Sequence, residues 1–344
     1  MERKERFYST IERKSVDRPA SWLGMPVQDS YKRLFDYFKV NGVDELKLKI
    51  GDDIYPVDVP FNKPPNNHIA LAFDFAKKNK AGDSLDKRSL TAPGFFEDFS
   101  DPSAIDKFNW PDPSKHMDAD DCRKAVENAP QDYAIMGVMW SAHFQDACSA
   151  FGMETALRRM ILNPDMFKAV IDKITEFYLN ANRIFYDATK GMLDAVLIGN
   201  DFGSQMGLMV SPRMLKKFVF DGTKKLIDQA HSYGIKVIHH SCGSVYDVIP
   251  DLIQLEVDAI HPIQALAYNM DAEKLKKDFG GKVSFCGGVD TQKLLPYGTP
   301  AQVKNRVREL MDLFPTGLII SPSHEAILPD VDPANISAIF ETIR

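Results

Sequence analysis

Two residues separated by one position, His240 and Cys242, carry the densest chemistry in this chain. In extended backbone the side chains at i and i+2 point to the same side. An imidazole nitrogen and a thiolate sulfur placed in this way can grip one metal ion, at about 2.0 Å and about 2.3 Å if the ion is zinc. The adjacent His239 must then point the opposite way, toward packing helices. A third ligand has to come from a distant segment, and His324 and Cys286 are the candidates. Three protein ligands and one open position make a catalytic zinc arrangement, and sulfur, nitrogen and oxygen donors suit that borderline-soft ion.

Other reactive side chains follow short apolar runs. Asp201 comes directly after one and is either a helix N-cap or a site group. Small residues between Asp201 and Gln205 leave room for a ligand. Trp140 and His143 stand behind an earlier run, where they could line a pocket, and His261 to Gln264 and His324-Glu325 close two later ones. Cys122 and Cys148, in loop and helix surroundings, read as structural thiols.

The elements that must position these residues alternate. Apolar runs at Ala134–Trp140, Leu193–Gly199, Lys236–His240, Ala259–Pro262, Lys282–Phe285 and Gly317–Ser321 read as strands. Amphipathic helical stretches separate them. One opens at Asn163-Pro164 and ends at Gly191, one runs from Ser211-Pro212 to Gly234, and one opens at Thr299-Pro300. A further helix is expected from Met1 to about Arg18, closed by Pro19. Strands alternating with helices imply a parallel sheet. With Ala20–Leu23 and Ile54–Val59 there are eight runs, which fits one α/β domain over residues 1–344, a (β/α)8 TIM barrel. The Pro- and Asp-rich stretch of about 60–130 is then a long irregular insertion after the second strand. An open doubly wound sheet is the rival, but no GxGxxG or GxxxxGK[ST] follows an early strand. In a barrel the strand C-termini carry the site, and the candidate site residues named above follow strand ends.

Composition narrows the class. The chain has 344 residues, 44% apolar and 26% charged, enough for a sizeable core. Its net charge of -6 and lack of a basic block speak against nucleic acid as partner. No apolar stretch reaches membrane-span length, and the charged start MERKERFYSTIERK does not read as a secretory signal. Four cysteines make no disulfide framework, so a cytoplasmic setting is expected.

At these residues the chain resembles the uroporphyrinogen decarboxylase superfamily. The resemblance rests on GMETALRRMILNPD, GNDFGSQMGLMVSP, HHSCGSVYDVIPDLIQLEVDAIHPIQA, FCGGVDTQKLLPYGTP and SPSHEAILPDVDPANI. It implies the TIM barrel and one of two activities. One branch decarboxylates the acetate arms of uroporphyrinogen without a cofactor. The other holds zinc through His-x-Cys and a distant Cys, and exchanges methyl groups with cobalamin. The decarboxylase branch places an Arg-rich motif after the first strand, whereas here Trp22 to Gln28 contains no Arg. Eight carboxylates gripped without Arg forks would be left uncompensated. His240-Ser241-Cys242 matches the methyltransferase branch, with His324 in the slot of its distal Cys.

The expectation is therefore a zinc-dependent methyltransferase that moves a methyl group between a small O-, N- or S-methyl substrate and a corrinoid (cobalamin). No Asp-x-His-x-x-Gly segment occurs here, so the corrinoid would arrive on a separate corrinoid protein. His240, Cys242 and His324 would hold zinc. Asp201, His143 and Glu325 are the acid–base candidates. Trp140, Gln205, Gln264 and Cys286 are the substrate-binding candidates. The superfamily also implies a homodimer. The alternatives are a decarboxylase-like lyase and a non-catalytic docking module for a corrinoid protein.

Overall fold

The computed structural model describes residues 1–65, 67–77 and 91–344. Among the described residues seven parallel strands pair in chain order: β1 (Ile54–Asp58), β2 (Ala134–Trp140), β3 (Ala195–Gly199), β4 (Lys236–His240), β5 (Ala259–Ile263), β6 (Ser284–Val289) and β7 (Leu318–Pro322). Every residue of β3, β5, β6 and β7 is buried, as a parallel sheet covered on both faces requires. A helix lies in each crossover.

The expected eighth strand is not a ladder strand. Ala20–Leu23 makes a single bridge, Ser21 to Ile320. Trp22 N donates to Ile320 O at 3.0 Å, and Ile320 N donates to Ala20 O at 2.9 Å. On its other side Asp53 N donates to Ser21 O at 3.2 Å, just ahead of β1. The run thus links β7 to the start of β1. A second ladder fails because carboxylates take the donors that it would use. Ser21 N donates to Asp53 Oδ2 at 2.9 Å and Leu23 N to Asp52 Oδ2 at 3.1 Å.

Alternation along the strands divides the apolar residues into two sets. Ile54, Met136, Leu197, Ile238, Cys286 and Ile319 share one core with Phe7, Ile11 and Trp22. The helices pack over the other set in a larger core. The N-terminal helix is shorter than expected, Arg3–Ile11, because Arg13 turns the chain at φ 60°. The helix expected from Ser211 to Gly234 divides at Val219 into Pro212–Phe218 and Phe220–Ser232. Two caps behave as the sequence suggests: Asn163 opens Pro164–Ala188, and Thr299 forms a capping box with Gln302 ahead of Pro300–Leu313. Between β1 and β2 the described residues hold three short 3₁₀ turns and the helix Ala119–Glu127. Among the described residues no helix is long and apolar enough to cross a membrane.

Candidate metal centre

The register of β3, β4 and β5 builds the centre. Gly199 pairs with His240, and His240 pairs with His261. A Cβ at Gly199 would lie 2.0 Å from the His240 carbonyl oxygen, so glycine is what lets β3 approach. His239 points the other way, as expected. Its ring stacks on Phe202 at 5.8 Å, and neither ring nitrogen has a hydrogen-bond partner. Burial first, and then the charge of His240, pulls its pKa down to about 3.

His240 Nε2 lies 3.4 Å from Cys242 Sγ and 3.3 Å from Asp201 Oδ1. One ligand atom from each of the three falls within 4.8 Å of the others. Asp201 Oδ1 also accepts from Cys242 N at 2.8 Å, which fixes the carboxylate at the start of the β4 loop. On the far side of the ring, His240 Nδ1 is 3.0 Å from His261 Nδ1 and 3.6 Å from Glu325 Oε2. Trp140 meets the His240 ring edge-on at 5.3 Å. An irregular register near the end of β2 and the left-handed φ of 54° at Trp140 precede this contact.

The charges are set by these neighbours. Burial alone would lower His240, but Asp201, Cys242 and Glu325 outweigh it and raise the imidazole well above its ordinary value. Burial would raise Asp201, yet hydrogen bonding and charge from His240 bring it down to about 2. Burial would likewise raise Cys242, and hydrogen bonds from His240 and His324 lower the thiol instead. His261 is held neutral, first by burial and then by the charges of His240 and His324. The single proton between the two Nδ1 atoms therefore belongs to His240, which donates it to His261. This leaves His240 Nε2 as the atom that faces Cys242 and Asp201.

A thiolate, a carboxylate and an imidazole nitrogen at these separations are a donor set that fits zinc. The second shared group, His240, His261 and Glu325, also lies within 4.8 Å, but its two Nδ1 atoms already bond each other. Glu325 Oε2 is buried and has no hydrogen-bond partner, although imidazole nitrogens lie 3.5 and 3.6 Å away.

His324 stands beside this trio, not in it. Its ring centroid is 6.3 Å from that of His240. Its Nδ1 accepts from Ala326 N at 3.0 Å, so in the neutral ring the proton sits on Nε2. The contact that raises its pKa is a hydrogen bond to Cys242. Ligation through Nε2 would require a lone pair on both nitrogens, hence an imidazolate or a flipped ring.

The remaining expected residues divide. Gln264 is in place: its Oε1 accepts from Gly243 N at 2.6 Å, and it lines a cavity with His324. Gln205 is exposed in the loop after β3, and its carbonyl accepts from Tyr268 N at 2.9 Å. Cys286 lies within β6 as part of the inner core, because Gly287 and Gly288 continue the strand and do not end it. Burial pushes its thiol up. His143 is fully buried. Its Nδ1 is 3.1 Å from Ser141 O and its Nε2 is 3.1 Å from Val219 O, with Asn200 at 3.3 Å from Nδ1. It is thus engaged away from the trio. Two contributors, His261 and Gln145, are not among the expected site residues. The strand-end position of His261 was visible, but its pairing with His240 depends on the register of β4 with β5. Gln145, on the helix after β2, hydrogen-bonds Asp201.

Comparison with known proteins places this geometry in context. A 102-residue stretch is 29% identical to a uroporphyrinogen decarboxylase of Chlorobaculum parvum, covering 28% of this chain and 27% of that protein. The decarboxylase of Chlorobium phaeobacteroides is 22% identical over 230 residues, 64% of this chain and 62% of that one. A methylated-thiol–coenzyme M methyltransferase of Methanosarcina mazei is 25% identical over 172 residues, 49% of this chain and 42% of that one. The chain thus spans less than two thirds of the length of these curated relatives. The solved structure of a methyltransferase from Methanosarcina mazei shares the fold, with a TM-score of 0.68 and 17% identity over 99% of this chain and 98% of that one. The uroporphyrinogen decarboxylase (URO-D) family model matches residues 79–344, and the chain belongs to that family.

Proposed function

We propose that the protein is a zinc-dependent methyltransferase of this family. It moves a methyl group between a small O-, N- or S-methyl substrate and the cobalt of a separate corrinoid protein. The observation that carries this reading is the meeting of His240 Nε2, Cys242 Sγ and Asp201 Oδ1 at the ends of β3 and β4. The anionic donors and the buried Glu325 also oppose the decarboxylase reading. A substrate with eight carboxylates needs cationic forks, and carboxylates without them would be repelled and left desolvated.

His240, Cys242 and Asp201 would hold the zinc. When bound, it supplies Lewis acidity that favours the anionic form of a substrate heteroatom. With Asp201 in place of His324 the protein donors carry two negative charges, as many as a His-Cys-Cys set. The site then keeps the electron-rich character that suits a thiolate.

His261 Nδ1 accepts the His240 Nδ1 proton and so keeps Nε2 turned to the site. His324 Nε2–H faces the Cys242 sulfur and tempers its charge. Glu325 Oε2 stands behind the centre, 3.6 Å from His240 Nδ1 and 3.5 Å from His324 Nδ1, and opposes the charge of the two imidazoles there. With both of its nitrogens engaged elsewhere, His143 is left a packing role. Trp140 walls one side of the His240 ring.

The test is metal content and turnover together. Protein purified with zinc present and then dialysed holds stoichiometric zinc, and His240→Ala and Cys242→Ser lose it. The zinc form demethylates methylcobalamin in the presence of a small thiol or alcohol acceptor. Absence of zinc from metal-replete protein refutes the reading.

A further inference from the structure

The insertion between β1 and β2 builds an aromatic floor. Phe73, Phe75 and Phe96 are buried in it. Phe73 stacks on Phe75 at 5.1 Å and meets Phe177 of the helix Pro164–Ala188 edge-on at 4.8 Å. Phe96 N donates to Ala150 O at 2.8 Å. A Cβ at Gly94 would lie 2.4 Å from that same oxygen, so glycine is what lets the segment seat on the helix His143–Phe151. Against this floor stand Phe95, Phe99 and Phe108, which are only half-buried. The Phe95 ring lies 5.7 Å from Phe99 and 5.1 Å from Phe108. These three rings line a cavity of about 880 Å³, within the range of small-molecule pockets. It shares no lining residue with the metal centre.

The lining carries three lysines, Lys63, Lys77 and Lys107, and two carboxylates, Asp74 and Asp98. Lys77 is committed to Glu97 at 3.0 Å and to Asp98 at 2.6 Å. Lys63 Nζ donates to Ala72 O, and both Lys63 and Asp74 are engaged in contacts of their own. Lys107 Nζ stands 4.8 Å from the centre of the Phe99 ring and, among the described residues, makes no ion pair. Asp101 feels its charge without pairing with it. An ammonium over an aromatic face is attracted by the ring's negative quadrupole, which keeps this one against the cavity wall. A flat apolar body seated on the three rings would take their open surface out of water. An anionic group on that body would gain Lys107 as a partner without breaking an existing pair. A cationic group would meet Lys107 with Asp98 already neutralised.

We propose that this cavity is a second binding site, which takes a small molecule with a flat aromatic body and one anionic group placed at Lys107. The inference goes beyond the methyltransferase reading and does not depend on it.

Two fluorescent probes with the same rings test it: 1-anilinonaphthalene-8-sulfonate and its uncharged parent, N-phenyl-1-naphthylamine. Each is titrated into the full-length protein and read by its emission. The sulfonate is expected to saturate one site and to bind about two- to fivefold more tightly than the neutral amine. Lys107→Gln should remove that advantage and leave the amine unchanged. Phe99→Ala should weaken both probes about tenfold. Asn109→Trp, at an exposed lining position, fills the cavity without touching the aromatic floor and should abolish both. It keeps the question open to test should Phe99→Ala fail to fold. Equal affinity for the two probes, an advantage that survives Lys107→Gln, or binding that Asn109→Trp leaves unchanged overturns the inference. Zinc should alter neither affinity. A protein that takes up no metal would sink the methyltransferase reading, and the two probes would still decide this one.

Discussion

His240 and His261 meet Nδ1 to Nδ1 at 3.0 Å, from paired positions on neighbouring strands. Because burial holds His261 neutral, the shared proton sits on His240, and His240 Nε2 becomes the ligating atom. A histidine ligand whose second nitrogen has lost its partner typically binds metal about 10–100-fold more weakly. His261→Ala is expected to lower zinc affinity by that factor, as measured by competition with a chromogenic chelator. His261→Asn, which can still accept a hydrogen bond, should recover part of the loss. Unchanged affinity in both variants would remove His261 from the centre.

Metal uptake should depend steeply on pH. In the metal-free protein His240 is protonated, since its pKa is raised well above the ordinary imidazole value. Zinc must displace that proton, so affinity falls about tenfold for each pH unit below the raised value. The stability of the metal-free fold has the opposite dependence. The contribution of protonated His240 is fully present below the ordinary imidazole pKa and is lost as pH rises through the raised one. Asp201, lowered to about 2, contributes above its ordinary carboxylate pKa and is lost as pH falls toward 2. Thermal melts of metal-free protein should therefore peak in the mildly acidic range, and zinc should move the optimum upward. A flat zinc affinity across that range would contradict the assignment.

Asp201 and His324 make separable claims. Asp201 Oδ1 is 3.3 Å from His240 Nε2, whereas His324 Nδ1 is already taken by the Ala326 amide. Asp201→Ala is expected to lose zinc on dialysis and His324→Ala to retain it. The reverse pattern would restore the histidine as third ligand, with its ring turned from the position described here.

Thiol reactivity gives a fourth prediction. Burial raises Cys122 to about 11 and Cys148 to about 12, and raises Cys286 as well, whereas Cys242 is lowered by its two histidines despite its burial. Thiolates, not thiols, react with alkylating agents. Brief iodoacetamide treatment of metal-free native protein, read by peptide mass spectrometry, should label Cys242 well ahead of the other three. Zinc should protect it. Equal labelling of all four would argue against a thiolate at this position.

The sequence exposes strands that are apolar along their whole length and ends that carry reactive groups. For β2 and β4 the apolar runs match the structure at both ends, and the caps at Asn163 and Thr299 fall where expected. Four features were hidden because they depend on contacts that strand patterning does not show. Ala20–Leu23 has the composition of a strand, but whether it forms a ladder depends on the Asp52 and Asp53 carboxylates. The His240–Cys242 pair was visible as an i, i+2 spacing, while its third member depended on how the β3 loop folds over β4. His324 has the right chemistry and the right strand end, but the Ala326 amide fixes its tautomer, and nothing in the motif predicts that bond. His143 sits one residue inside a helix, where the carbonyl of Val219 at the helix break draws its ring away.

The most direct test is X-ray absorption at the zinc edge of the loaded protein. The proposed centre gives one sulfur at about 2.3 Å and nitrogen or oxygen neighbours at about 2.0–2.2 Å. Cys242→Ser, which loses the metal on dialysis, should show no zinc edge at all. A zinc shell of nitrogen and oxygen alone in the unaltered protein would contradict the centre built on His240, Cys242 and Asp201.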